Sequence, residues 1–222
     1  MCSPVDGRVL SCGRVGAFGR VEQIKGLDYG VRELLGASEL EGLAVSAVDV
    51  VEGGDEEEKK EGLVVESVNK SLFYVTIYLG PGDYHGFHSP VDQWRIQSRR
   101  HIAGELLSVN PRFVSRVREL FLVNERVVLL GEWMYGFFSM TAVGATNVGN
   151  IVLEFDRELK TNNSRDTLDN VHERVFKKPV KVCDGFPTPA LLTALVKTFQ
   201  VHACFAQSFL TAFLAIPLYL YV

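Results

Sequence analysis

The chain has 222 residues, of which 47% are hydrophobic, 10% aromatic and 23% charged. That is the balance of a folded domain with room for a sizeable core, not of a disordered or fibrous chain. A formal net charge of −4 argues against a general nucleic-acid binder, whose surface is basic.

The chain opens on Ser3, Pro4, Val5, Asp6 and Gly7, turn formers rather than a targeting peptide, so it is expected to begin inside a domain. Four cysteines, Cys2, Cys12, Cys183 and Cys204, form no CxxC pair and no Cys/His cluster. Neither a zinc site nor a disulfide framework is expected, and the thiols should be reduced and mostly buried.

Residues 8–11 and 20–24 are short strand candidates bounded by glycines. Residues 29–35 predict one or two helical turns, stopped by Gly36. The run EGGDEEEKKEG at 52–62 cannot bury itself and reads as a solvated acidic loop. Residues 72–79 (LFYVTIYL) are β-branched and aromatic, with Phe73, Val75, Ile77 and Leu79 on one face and Tyr74, Thr76 and Tyr78 on the other. Further strands are expected at 94–97, 105–109, 126–130, 137–143 and 150–155, and one good helix at 111–121. The pattern predicts a mainly β (α+β) fold of antiparallel sandwich or barrel-like sheets with few short helices.

The tetrapeptide Ser3-Pro4-Val5-Asp6 recurs as Ser89-Pro90-Val91-Asp92, each time before a strand. This is either repeated turn chemistry or a sign that both turns occupy comparable corners of a two-layer β structure. Beyond residue 160 the character changes. Residues 161–169 (TNNSRDTLD) are polar and turn-like, and 203–222 form a run of twenty without a formal charge. That run is long enough to span a bilayer as a helix, although Gln207 and Pro217 interrupt it; packing against the domain and an exposed, aggregation-prone tail are the alternatives. The organisation expected is a β domain at 1–160, a linker at 161–185 and an apolar tail at 186–222.

Residues 80–92 read GPGDYHGFHSPVD, with His85 and His88 in a Gly/Pro-rich loop directly after a strand. Loops on a rigid scaffold are where catalytic groups concentrate, and imidazole exchanges protons near neutral pH. No third metal ligand lies close in sequence, so no metal is expected. Asp6 is a carboxylate that could orient a histidine, or simply a turn former.

This segment resembles the region around the two functional histidines of the phosphatidylserine decarboxylase proenzyme family. SPVDGRVL, VEQIKG, HIAGELLSVNP, NERVVLLGEW and FFSMTAVGATNVGNI follow in that family's order, so the likeness runs from about Ser3 to about Asp156. The resemblance implies a mitochondrial inner-membrane enzyme that converts phosphatidylserine to phosphatidylethanolamine and carbon dioxide at the membrane surface. Its cofactor would be a pyruvoyl group made from a serine of the chain itself. By motif position Asp6 and His88 would be the aspartate and histidine of the relay that cleaves the backbone at Gly-Ser, and His85 would assist decarboxylation. The pyruvoyl carbonyl would act as an electron sink towards the substrate amine.

The family's Leu-Gly-Ser-Thr cleavage motif has no counterpart, because this chain contains no Gly-Ser dipeptide. Ser164 and Ser208 follow Asn163 and Gln207 rather than glycine. The targeting sequence and membrane anchor of mitochondrial members are also absent from the residues present. The expectation is therefore a decarboxylase scaffold that forms no α/β subunits by self-cleavage, with a non-catalytic, lipid- or partner-binding relative as the alternative.

Overall fold

The computed structural model describes residues 3–16, 19–24, 27–36, 71–163, 166–182 and 213–221. The acidic loop at 52–62, Cys2, Cys183, Cys204, Ser164 and Ser208 lie outside the described residues.

Nine strands and three single helical turns follow one another in the described residues: β1 (Arg8–Arg14), β2 (Arg20–Ile24), β3 (Leu27–Gly30), α1 (Val31–Leu34), β4 (Ser71–Leu79), β5 (Trp94–Ile102), α2 (Pro111–Val114), α3 (Leu120–Val123), β6 (Arg126–Trp133), β7 (Gly136–Val143), β8 (Val171–Val182) and β9 (Phe213–Tyr221). Seven strands form one open sheet in the order β1-β4-β9-β7-β6-β5-β8, and β2 and β3 form a separate hairpin. Every neighbouring pair is antiparallel. The mainly β, antiparallel class expected from the sequence is the one observed.

Alternation along the strands divides the core in two. Ile77, Leu79, Trp94, Ile96, Val127, Leu129, Phe138, Met140 and Ala142 share one core, covered by Val5, Phe87, Val91 and the segment from Val148 to Leu159. Leu72, Tyr74, Tyr78, Val128, Phe137 and Val143 share the other, covered by the β2–β3 hairpin and the three helical turns. With both faces covered, β6 and β7 are buried almost throughout, which is why they read as near-continuous apolar runs.

Several elements differ from expectation for identifiable reasons. The helix expected at 111–121 is two separate turns. Gln23, fully buried on β2, donates from Nε2 to the Val114 and Val117 carbonyls, both at 2.8 Å. Its Oε1 accepts from the Leu120 N–H at 3.1 Å. Glu119 takes a left-handed conformation (φ 53°) at the break. One distant side chain thus supplies the partners that a continuous helix would have found within itself.

Residues 105–109 are not a strand. Their backbone is held by Asn124, whose Oδ1 accepts from Leu107 N–H and whose Nδ2 donates to the Leu107 and Gly144 carbonyls; one bridge, Glu105 to Asn124, remains. Residues 150–155 form turns, because the Thr161 hydroxyl takes the Ile151 N–H at 2.8 Å and donates to the Gly149 carbonyl at 2.7 Å. Cys12, the one cysteine among the described residues, is exposed on the edge strand β1.

Within the segment expected as a linker, residues 171–182 form β8. Its register against β5 slips between Val175 and Val180, and it carries Lys177, Lys178 and Pro179. Lysines, proline and a bulge are the means by which an edge strand avoids pairing with other chains. In the apolar run, Phe213–Tyr221 forms β9 between β4 and β7. Among the described residues no helix is long and apolar enough to cross a membrane. Pro217 lies in β9 opposite Met140; having no N–H, it cannot complete the ladder there, and the pairing with β4 skips Val75 and Thr76.

Candidate functional site

The loop between β4 and β5 carries both histidines. Since three strands separate β4 from β5 in the sheet, the loop must cross, and it does so with Phe87 and Val91 buried in the first core. The loop starts with a tight turn. Asp83 N–H donates to the Gly80 carbonyl at 3.0 Å, and Gly80 N–H donates to Asp83 Oδ2 at 2.7 Å.

His85 is half-buried, with Nδ1 2.7 Å from the Asp83 carbonyl oxygen. A carbonyl only accepts, so Nδ1 carries the proton. In the neutral ring Nε2 is then the atom that can take a proton up. His88, also half-buried, lies under the ring of Tyr84 (centroids 5.6 Å apart, planes 14° apart). Tyr84 folds back so closely over Gly86 that a Cβ there would sit 2.2 Å from its hydroxyl oxygen. The His88 Nδ1 is buried and has no hydrogen-bond partner among the described residues, a state that costs free energy unless another polar group meets it.

The two SPVD turns have the same local structure. Ser3 Oγ donates to the Val5 carbonyl and Ser89 Oγ to the Val91 carbonyl, each at 2.7 Å. The first turn is also tied to the histidine loop, since the N–H of His88, the residue before the second turn, donates to the Pro4 carbonyl at 2.8 Å. Gly7 allows the first turn to lie against β4, where a Cβ would meet the Tyr78 carbonyl oxygen at 2.6 Å. The backbone thus brings the turn bearing Asp6 alongside His88. The side chains are not joined: Asp6 is exposed, and no ion pair links it to a histidine among the described residues. Sequence reasoning singled out Asp6, His85 and His88 and named neither Tyr84 nor Asp83, which the structure places against the two histidines. The signal for them was present: an aromatic four residues before His88, and an Asp closing a Gly-Pro-Gly turn.

The family model for phosphatidylserine decarboxylase matches residues 1–182. The chain is 44% identical over 178 residues to a mitochondrial phosphatidylserine decarboxylase proenzyme of Pongo abelii, covering 78% of this chain and 41% of that protein. It is 42% identical over 196 residues to proenzyme 1 of Arabidopsis thaliana (79% and 43% covered) and 36% identical over 246 residues to proenzyme 1 of Saccharomyces cerevisiae (84% and 49% covered). The chain therefore spans between two-fifths and half of the length of these relatives. With the family's motifs in order and its histidine loop folded against the Asp6 turn, this chain belongs to the phosphatidylserine decarboxylase family.

Proposed function

We propose that this fold serves the decarboxylation of phosphatidylserine to phosphatidylethanolamine and carbon dioxide at a membrane surface, with His85, His88 and Asp6 as its working side chains. The observation that carries the reading is the buried, unpartnered Nδ1 of His88, in a loop hydrogen-bonded to the Asp6 turn. A half-buried imidazole that lacks a polar partner fits a base awaiting a hydroxyl. A pyruvoyl group, when present, supplies the carbonyl that draws electrons from the substrate. In this chain, Asp83 fixes the His85 tautomer, leaving Nε2 to move a proton. Tyr84 holds the His88 ring in place. Asp6 reaches His88 only if its exposed side chain turns inward, which its place in the neighbouring turn permits. A mitochondrial location accords with the names of the relatives, and the inner membrane is the surface proposed.

The sequence favours a second reading for this chain taken alone. It holds no Gly-Ser dipeptide, so it provides the scaffold and histidines without the bond to be cleaved. Intact mass and carbon dioxide release from carboxyl-labelled phosphatidylserine separate the two. We expect a single uncleaved 24.7 kDa species that releases none and does not react with hydroxylamine. Two fragments with carbon dioxide release would overturn the second reading.

A further inference from the structure

At the end of β5 remote from Trp94, His101 faces His172 of β8 in register. Their rings stack with centroids 5.6 Å apart and planes 18° apart. His172 Nε2 lies 3.5 Å from Asp166 Oδ1. One ligand atom from each of His101, His172 and Asp166 falls within 4.8 Å of the others. We propose that these three side chains form a binding site for a divalent transition-metal ion of the zinc type, separate from the histidine loop.

The chemistry of the surroundings supports the donor set. His101 Nε2 lies 2.7 Å from Glu125 Oε1, and both side chains are buried, 2% and 4% exposed. A carboxylate accepts, so Nε2 carries the proton and Nδ1 keeps the lone pair. A histidine whose other nitrogen donates to a carboxylate is the arrangement that orients metal-bound imidazoles. Glu125 is itself held, since its Oε1 also accepts from Asn162 N–H at 2.7 Å. This ties the 161–170 loop to the cluster, and Ala103 anchors the same loop through hydrogen bonds with Asp169 and Asn170.

Two imidazoles and one carboxylate suit Zn²⁺, Co²⁺, Ni²⁺ or Cu²⁺ rather than Mg²⁺ or Ca²⁺, which prefer all-oxygen shells. A tetrahedral ion with bonds of about 2.0–2.1 Å places its donor atoms roughly 3.3–3.4 Å apart. The His172–Asp166 pair, at 3.5 Å, is already near that spacing; the separations to His101, within 4.8 Å, close by at most about 1.4 Å as the stacked rings turn to bring their in-plane lone pairs onto one ion. With His172 45% exposed, an ion can enter from solvent, and the fourth position would hold water. Bound there, it would fasten edge strand β8 and the 161–170 loop to β5.

The test is zinc binding by the full, untagged chain after chelator treatment, measured by competition with a chromophoric zinc chelator. A parallel titration with Co²⁺ follows the visible ligand-field bands. We expect one ion per chain, with intense tetrahedral Co²⁺ bands. His172→Ala and Asp166→Asn should each weaken zinc at least ~30-fold, and Glu125→Gln roughly 10-fold or more, as for loss of an orienting partner. His172 is exposed and Asp166 half-buried, and circular dichroism should show both variants folded. No stoichiometric binding, undiminished binding in folded His172→Ala, or a loss seen in His85→Ala instead would each overturn the proposal.

Discussion

The backbone N–H of His88 donates to the carbonyl of Pro4 at 2.8 Å, joining the first SPVD turn to the residue that directly precedes the second, far away in sequence. This bond, rather than any side-chain contact, sets Asp6 beside the histidine loop. The division of labour proposed for the two histidines can be tested by joining the chain to the Gly-Ser-bearing segment of a relative. In that protein His88→Ala and Asp6→Ala should each abolish self-cleavage, leaving one band on a denaturing gel. His85→Ala should still cleave yet lose at least about 100-fold in carbon dioxide release, the scale of one proton-transfer group. Cleavage that survives in His88→Ala would remove the relay assignment.

Tyr29 is fully buried beside Thr76, and among the described residues neither hydroxyl makes a hydrogen bond of good geometry. Burial raises the phenol above its ordinary value of 10, so the unfolded chain releases this proton first. Stability tied to neutral Tyr29 is complete below about pH 10 and is lost progressively as pH rises beyond it. Tyr29→Phe removes an unpaired hydroxyl, so urea denaturation near neutrality should show no loss and up to ~1 kcal/mol gain. The same variant should flatten the alkaline fall. A loss above about 1 kcal/mol would mean that the hydroxyl has a partner in solution.

Arg126 is buried, and among the described residues no carboxylate forms an ion pair with its guanidinium. It donates instead to the carbonyls of Glu33, Leu34, Leu122 and Asn124, and burial lowers its pKa to about 10. Arg126→Met leaves those carbonyls without their donor and should cost roughly 2–4 kcal/mol in chemical denaturation. Arg126→Lys should not rescue it, because one ammonium cannot reproduce the planar fork.

Asp156 is completely buried between Arg99 (Nε to Oδ2, 2.8 Å) and Arg174. Asp156→Asn keeps the volume but strands the largely buried Arg99 without a counter-charge, at a cost of roughly 3–5 kcal/mol. Replacing Arg99 and Asp156 together with apolar residues should recover much of that loss. Urea midpoints of the single and double variants measure both effects.

What could be foreseen in the sequence was local. β4, β6 and β7 declare themselves through β-branched and aromatic runs, and Gly36 (φ +65°) ends its helical turn as a left-handed glycine should. What could not be foreseen depends on partners distant in the chain. Gln23 divides residues 111–121 into two turns, and Asn124 keeps 105–109 out of the sheet. β8 escaped notice because an edge strand with lysines and a proline carries no apolar alternation. At the site, the His-x-x-His loop and Asp6 were legible as residue types. The Pro4–His88 bond and the Tyr84 stack exist only once the two turns meet.

The helical turns held by Gln23 and Arg126 also constrain the order of folding. A four-residue helix cannot repay its own nucleation, and α1, α2 and α3 have four residues each. Asn110 caps α2 locally, but Gln23 and Arg126 reach ends of all three turns from 91 to 97 positions away. These turns therefore cannot nucleate collapse and must await long-range closure of the sheet. Refolding should be slow, as in other proteins dominated by non-local pairing, with helical ellipticity rising together with β structure rather than ahead of it.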